Sequence, residues 1–202
     1  MPSRMFAVIG ASLMLGVLAA LVLIPGARER LFSAPSVATV GKAQVGGPFQ
    51  LVDGSGKTVT DADFRGRFML VYFGYTYCPD VCPAGLQVMA AALDKLGPKA
   101  EKITPVFITL DPERDTPAKI SEYVRSFHPR MVGLTGSLEE IAKVAKAYRV
   151  FWKKVPDDKN PGEYTLDHSS IIYLMDPKGD YAAHFTHATN VDQMAAKLAE
   201  RL

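Results

Sequence analysis

The chain has 202 residues, 48% of them apolar, and its 23 Lys and Arg against 21 Asp and Glu give a formal net charge of +2. That balance leaves no basic field of the kind that gathers nucleic acid. The two cysteines are too few for a disulfide scaffold, and the length suits a membrane anchor plus one domain of ordinary size.

Met5 to Ile24 contains no charged side chain. As a helix this run spans about 30 Å, the depth of a bilayer core, and Pro25-Gly26 ends it. The competing reading is a cleaved signal peptide. The run is longer than an ordinary signal-peptide core, however, and no A-x-A cleavage site follows it. Residues 1–26 are therefore expected to form a retained transmembrane anchor. Arg4 flanks one side and Arg28 and Arg30, around Glu29, flank the other, so positive-inside counting is nearly tied. Signal-anchor topology places the folded domain outside, and the first residues lack the Arg- and Ser-rich character of a transit peptide. The simplest expectation is a bacterial inner membrane with the domain in the periplasm.

Residues 27–46 read as a linker and residues 47–202 as one domain. Phe49–Val52 and Lys57–Val59 flank Asp53-Gly54-Ser55-Gly56, a hairpin signal. Met69–Phe73 is a buried strand. Pro83–Leu96 has apolar residues at helical period, stopped by Gly97-Pro98. Thr104–Leu110 is the next strand. Thr116-Pro117 opens a helix reaching about Phe127, as an N-cap with proline at the first helical position. Val132–Leu134 is a short strand, and Ser137-Leu138-Glu139-Glu140 is a capping box for a helix to Tyr148. Phe151–Val155 is a further strand candidate, followed by a polar loop from Pro156 to Gly162. Ser170–Met175 and Tyr181–Phe185 flank the turn Asp176-Pro177-Lys178-Gly179, and Asn190 caps a final helix. Alternating strands and helices followed by a hairpin and a last helix predict an α/β domain of thioredoxin-like fold, parallel in its first half.

The chemistry-bearing residues are Cys78, Cys82 and His168. Both cysteines precede prolines in Cys78-Pro79-Asp80-Val81-Cys82-Pro83, which disfavours helical backbone at each. They are expected in an exposed strand-to-helix turn, with Cys82 at the N-cap. There the helix N-terminus favours its thiolate. Three intervening residues, one more than the usual thioredoxin spacing, permit a disulfide or let both sulfurs face one ion. Two thiolates and an imidazole form a soft site suited to Cu(I). His168, at the entrance to the Ser170–Met175 strand, is the histidine so placed.

Three stretches carry a resemblance. Tyr72-Phe73-Gly74-Tyr75-Thr76-Tyr77-Cys78-Pro79-Asp80-Val81-Cys82-Pro83, Asp111-Pro112-Glu113-Arg114-Asp115-Thr116-Pro117 and Asp167-His168-Ser169 resemble, in order, the signature of the SCO/SenC family of copper-binding assembly factors. The likeness runs from about Gly46 to Leu202. It implies a thioredoxin-like domain at the outer face of a membrane, with copper, as Cu(I) or Cu(II), on Cys78, Cys82 and His168. It also implies a role in maturing the CuA centre of cytochrome c oxidase subunit II, with a periplasmic copper donor and a thiol reductant as further partners. Many members carry His where this chain has Tyr77, a position outside the ligand set.

Two other functions use the same fold. A thiol–disulfide reductase would need the Cys78–Cys82 pair, as a possible disulfide, but not His168. A peroxidase of this fold keeps T-x-x-C, and Thr76-Tyr77-Cys78 is one residue short. The bland alternatives are a structural disulfide or inert thiols for the cysteines and a core role for His168. Asp111 and Asp115 read first as turn and cap residues, Asp167 as a turn cap, His128 as surface loop and Trp152 as packing. His184 and His187, three apart, face opposite sides of a strand.

Overall fold

The computed structural model describes residues 44–157 and 159–202. The expected anchor, and the expected linker up to residue 43, lie outside the described residues. Among the described residues no helix is long and apolar enough to cross a membrane. Gln44 and Gly46, at the end of the expected linker, already bond to the domain: Gly46 N donates to Ala147 O at 3.0 Å and Arg149 Nε donates to Gln44 O at 3.0 Å.

The first hairpin forms where its turn glycines predict, with β1 (Gln50–Asp53) antiparallel to β2 (Thr58–Thr60). The continuous apolar run at Met69 becomes β3 (Phe68–Gly74), buried from Met69 onward. Such a run suits a central strand covered on both faces. β4 (Ile103–Thr109) and β5 (Val132–Thr135) extend the sheet in parallel on one side of β3. β8 (Ile171–Met175) pairs antiparallel on its other side and β9 (Tyr181–Thr186) follows it. The seven-stranded order is β2-β1-β5-β4-β3-β8-β9, and β6 (Trp152–Pro156) with β7 (Tyr164–His168) forms a separate two-stranded sheet.

Helices α1 (Val81–Leu96), α2 (Pro117–Arg125), α3 (Leu138–Ala147) and α4 (Val191–Ala199) complete the domain. The three expected caps are present. Thr116 Oγ1 accepts from Lys119 N, Ser137 and Glu140 make a capping box, and Asn190 and Gln193 make another. α1 buries Leu86, Met89, Ala90 and Leu93, a stripe at helical period.

α1 starts earlier than expected. Its N-cap is Asp80 and Cys82 is its second residue, with Ala84 N donating to Asp80 O at 3.1 Å. The bias against helical backbone before proline is overridden, because Pro83 lies in the first turn, where its missing N–H costs no helical bond. β7 was not expected either. Tyr164-Thr165-Leu166-Asp167-His168 alternates in burial, with Leu166 inward, and pairs with β6 across the polar loop. His128 is also buried, at 8% exposure, where a surface loop was expected.

The topology explains where a site can form. Gly74 pairs with Thr109 across parallel strands, so β3 and β4 leave the sheet at the same edge. β8 runs the other way and enters at that edge, with Tyr72 paired to Ile172. The cysteine loop after β3, the Asp111–Thr116 turn after β4 and the His168–Ser170 segment before β8 therefore meet at one place. Open α/β sheets build their sites at this end of the strands.

Candidate metal centre

Cys78, Cys82 and His168 come together, each offering one donor atom, with all three donors within 4.8 Å of one another. Cys82 Sγ lies 3.3 Å from His168 Nε2. An ion bonded at roughly 2.0–2.3 Å would hold three such donors about 4 Å apart in a plane. The three atoms are thus nearly in place for a single metal. Both cysteines are free thiols.

Two expectations need correction. The thiols are buried, not exposed: Cys82 is fully covered and Cys78 is 8% exposed. The helix N-terminus acts on Cys78 and not on Cys82, since the Cys82 amide donates to Cys78 Sγ at 3.4 Å. The hydrogen bond from the Cys82 thiol, more than any other contact, draws the Cys78 pKa well below an ordinary thiol's. His168 and the amides of Asp80 and Cys82 reinforce it against burial. Cys82 shifts the other way, because its proton is committed to Cys78, because it is buried and because a charge sits on Cys78. The two sulfurs are thus inequivalent, with negative charge favoured on Cys78 over Cys82.

The imidazole is oriented by its surroundings. The Tyr75 ring stands edge-on to His168 at 5.9 Å between centroids, and Tyr72 lies at 6.4 Å. His168 Nδ1 is 3.2 Å from Ser169 O, and Nε2 faces the sulfurs, 3.3 Å from Cys82 Sγ. Trp152 sits opposite His168 on β6 and packs against the core. Asp167 is exposed one position earlier. Tyr77 is 54% exposed at the rim, with Lys119 Nζ 3.8 Å from its ring centroid.

Asp111 and Asp115 are more than turn and cap residues; both are buried, at 1% and 0% exposure. The Asp115 carboxylate accepts from the Thr76 amide and hydroxyl and from Thr109 Oγ1, which ties it to the cysteine loop. Asp111 pairs with Arg114 and accepts from Tyr164 Oη at 2.7 Å. Tyr72, Tyr75, Arg114 and Tyr164 had no assigned role in the sequence reading. The alternation of Tyr164–His168 was the one available signal, and it was masked by the preceding polar loop. The other histidines stand apart: Tyr181 Oη is 2.5 Å from His184 Nδ1, and His187 lines a separate apolar groove with Val81 and Val88.

A thioredoxin-like α/β domain with two sulfurs and an imidazole converging at its strand ends is a soft-metal or thiol-redox domain. Comparison with known proteins narrows this class. The SCO1/SenC family model matches residues 37–202, and the chain belongs to that family. A copper-bound ScoI from Bradyrhizobium japonicum is 47% identical, with TM-score 0.72 over 78% of this chain and 99% of that one. A copper-bound ScoI from Arabidopsis thaliana is 41% identical, with TM-score 0.73 over the same shares. The mitochondrial SCO1 homolog 1 of Arabidopsis thaliana is 43% identical over 157 residues, which are 77% of this chain and 46% of that protein. The chain thus spans about half the length of that relative.

Proposed function

We propose that this chain is a membrane-anchored copper chaperone, holding copper between Cys78, Cys82 and His168 and delivering it to the CuA site of cytochrome c oxidase subunit II. The observation that carries the reading is the convergence of three donors, from segments far apart in sequence, within 4.8 Å. The donor chemistry fits the ion: thiolate and imidazole ligands suit Cu(I). The copper-bound relatives support the same assignment. Copper would hold the sulfurs as thiolates beside a neutral ring, so binding is accompanied by proton release and weakens in acid. An apolar anchor at residues 1–26 would keep the domain at the periplasmic face, where a copper donor and a thiol reductant have to supply it.

A second reading has its own support. One low-pKa sulfur beside one protonated sulfur is the asymmetry of a thiol–disulfide reductase. The Cys78 thiolate would attack a target disulfide and release the first target thiolate. Cys82 would then resolve the mixed disulfide, leaving a Cys78–Cys82 disulfide and a reduced target.

His168→Ala separates the two. Copper transfer to a reduced CuA domain should be lost, while disulfide reduction of the oxidised CuA domain by the metal-free protein persists. Copper delivery unaffected by His168→Ala would contradict the chaperone assignment.

A further inference from the structure

His168 is held by a hairpin that the main sheet does not include. β6 and β7 form their own two-stranded sheet, so the main sheet fixes the His168 end of β7 only through Ser169-Ser170 and β8, and the Tyr164 end not at all. Ser169 N donates to Phe151 O and Phe151 N to Ser169 Oγ, but these bonds close the hairpin on itself. At its Tyr164 end the tie to the thiol half comes from side chains.

The Asp111–Thr116 turn supplies that tie on two sides. Arg114 Nη1 donates to Tyr164 O at 3.0 Å, and the guanidinium lies 3.7 Å from the Tyr164 ring centroid. Tyr164 Oη donates to Asp111, and Asp111 pairs with Arg114 Nε. On its other side the turn grips the cysteine loop through Asp115 and Thr76. The turn is itself closed by Asp115 N and Arg114 N donating to Asp111 O at 2.9 and 3.2 Å. Tyr164 and His168 begin and end β7, about 13 Å apart along an extended strand.

Exposure decides which contacts matter. The Arg114 and Asp111 side chains are 17% and 1% exposed, so their charge-assisted bonds are shielded from water. The Lys154–Glu113 pair, which also joins the turn to the hairpin, is 40% and 52% exposed and contributes little.

We propose that Arg114 and Asp111 are positioning residues, which set the reach of His168 toward the thiol pair by clamping Tyr164 at the start of β7. This rests on the copper reading of the site. The clamp touches no donor atom of the site. It acts through the strand, and the planar guanidinium, which bonds and stacks at once, is not replaceable by lysine.

Arg114→Met and Tyr164→Phe test it in the full chain. In the metal-free protein, amide hydrogen exchange across residues 164–168 should quicken severalfold in both. Copper affinity should fall about tenfold or more in Arg114→Met, the usual scale for groups that orient a ligand. In a His168→Ala background Arg114→Met should cause no further loss. Unchanged exchange in both variants would overturn the clamp. So would an equal loss of affinity from Arg114→Met with and without His168. Tyr164→Phe, which removes one hydroxyl, keeps the test open should Arg114→Met fold poorly. Copper affinity unchanged in His168→Ala would overturn the copper reading instead. Faster exchange in metal-free Arg114→Met would then still support the clamp, since that readout contains no metal.

Discussion

Thr76 and Asp115 are joined twice: the Asp115 carboxylate accepts the Thr76 amide at 3.0 Å and the Thr76 hydroxyl at 2.5 Å. Thr109 Oγ1 adds a third bond at 2.6 Å. The carboxylate is fully buried, so its loss leaves three donors unpaired, two on half-buried Thr76 and one on the fully buried Thr109. Asp115→Ala should lower stability by about 3 kcal/mol or more, since each buried unsatisfied donor costs ~1–3 kcal/mol. Urea unfolding measures it, with the exposed Asp192→Ala as a control expected within about 0.5 kcal/mol of wild type. A wild-type midpoint for Asp115→Ala would contradict the account.

Gly74 gives Cys82 its seat. A Cβ at position 74 would lie 2.8 Å from Cys82 Sγ and 2.8 Å from the Phe107 ring. Gly74→Ala should therefore push the sulfur away from His168, at a packing cost of about 1–3 kcal/mol, and weaken copper binding more than its effect on folding accounts for. Copper titration beside thermal unfolding of the same variant checks both parts.

The thiol pair predicts a two-sided pH profile for the reduced, metal-free domain. Cys78 has a lowered folded-state pKa, so its stabilising contribution is full above the ordinary thiol range near 8.5 and is lost as pH falls through the lowered value. Cys82 has a raised one, so its contribution is present below that range and is lost above it. Stability should rise toward about pH 8.5 and then fall. Thiolate absorbance should persist in mild acid in wild type and vanish in Cys78→Ser, and Cys82→Ala should move the remaining thiol upward.

His128 adds a separate acid sensitivity. Burial, and then the charge of Arg130, hold its pKa below the ordinary value, with Asp94 opposing. The unfolded chain takes a proton first as pH falls below about 6.5, so stability drops from there downward. His128→Gln should flatten that part of a melting-temperature profile. An unchanged slope would assign it to other groups.

The sequence displayed the elements with strong local signals. Caps at Thr116, Ser137 and Asn190, the turn glycines after Asp53 and the apolar run at Met69 all form what their residue types favour. The site was legible in its three donors, because two cysteines and few histidines leave little choice. What was hidden depends on tertiary contact. The residues before two prolines gave no sign that the chain would enter a helix at Val81. Cys82 packs beside Gly74, and the roles of the two cysteines follow from the Cys82 amide bonding Cys78 Sγ. β7 has only five residues, a short alternation next to a polar loop. Arg114 carries no role that its own neighbours reveal, because its partner Tyr164 lies fifty positions away.

The central claim is that one metal is shared by both sulfurs and the imidazole of His168. X-ray absorption of the copper-loaded wild type beside His168→Ala tests it most directly. The account predicts two sulfur scatterers and one imidazole in the wild type, and loss of the imidazole alone in the variant. An imidazole signal that survives His168→Ala, or a wild-type spectrum with no sulfur at bonding distance, would contradict it.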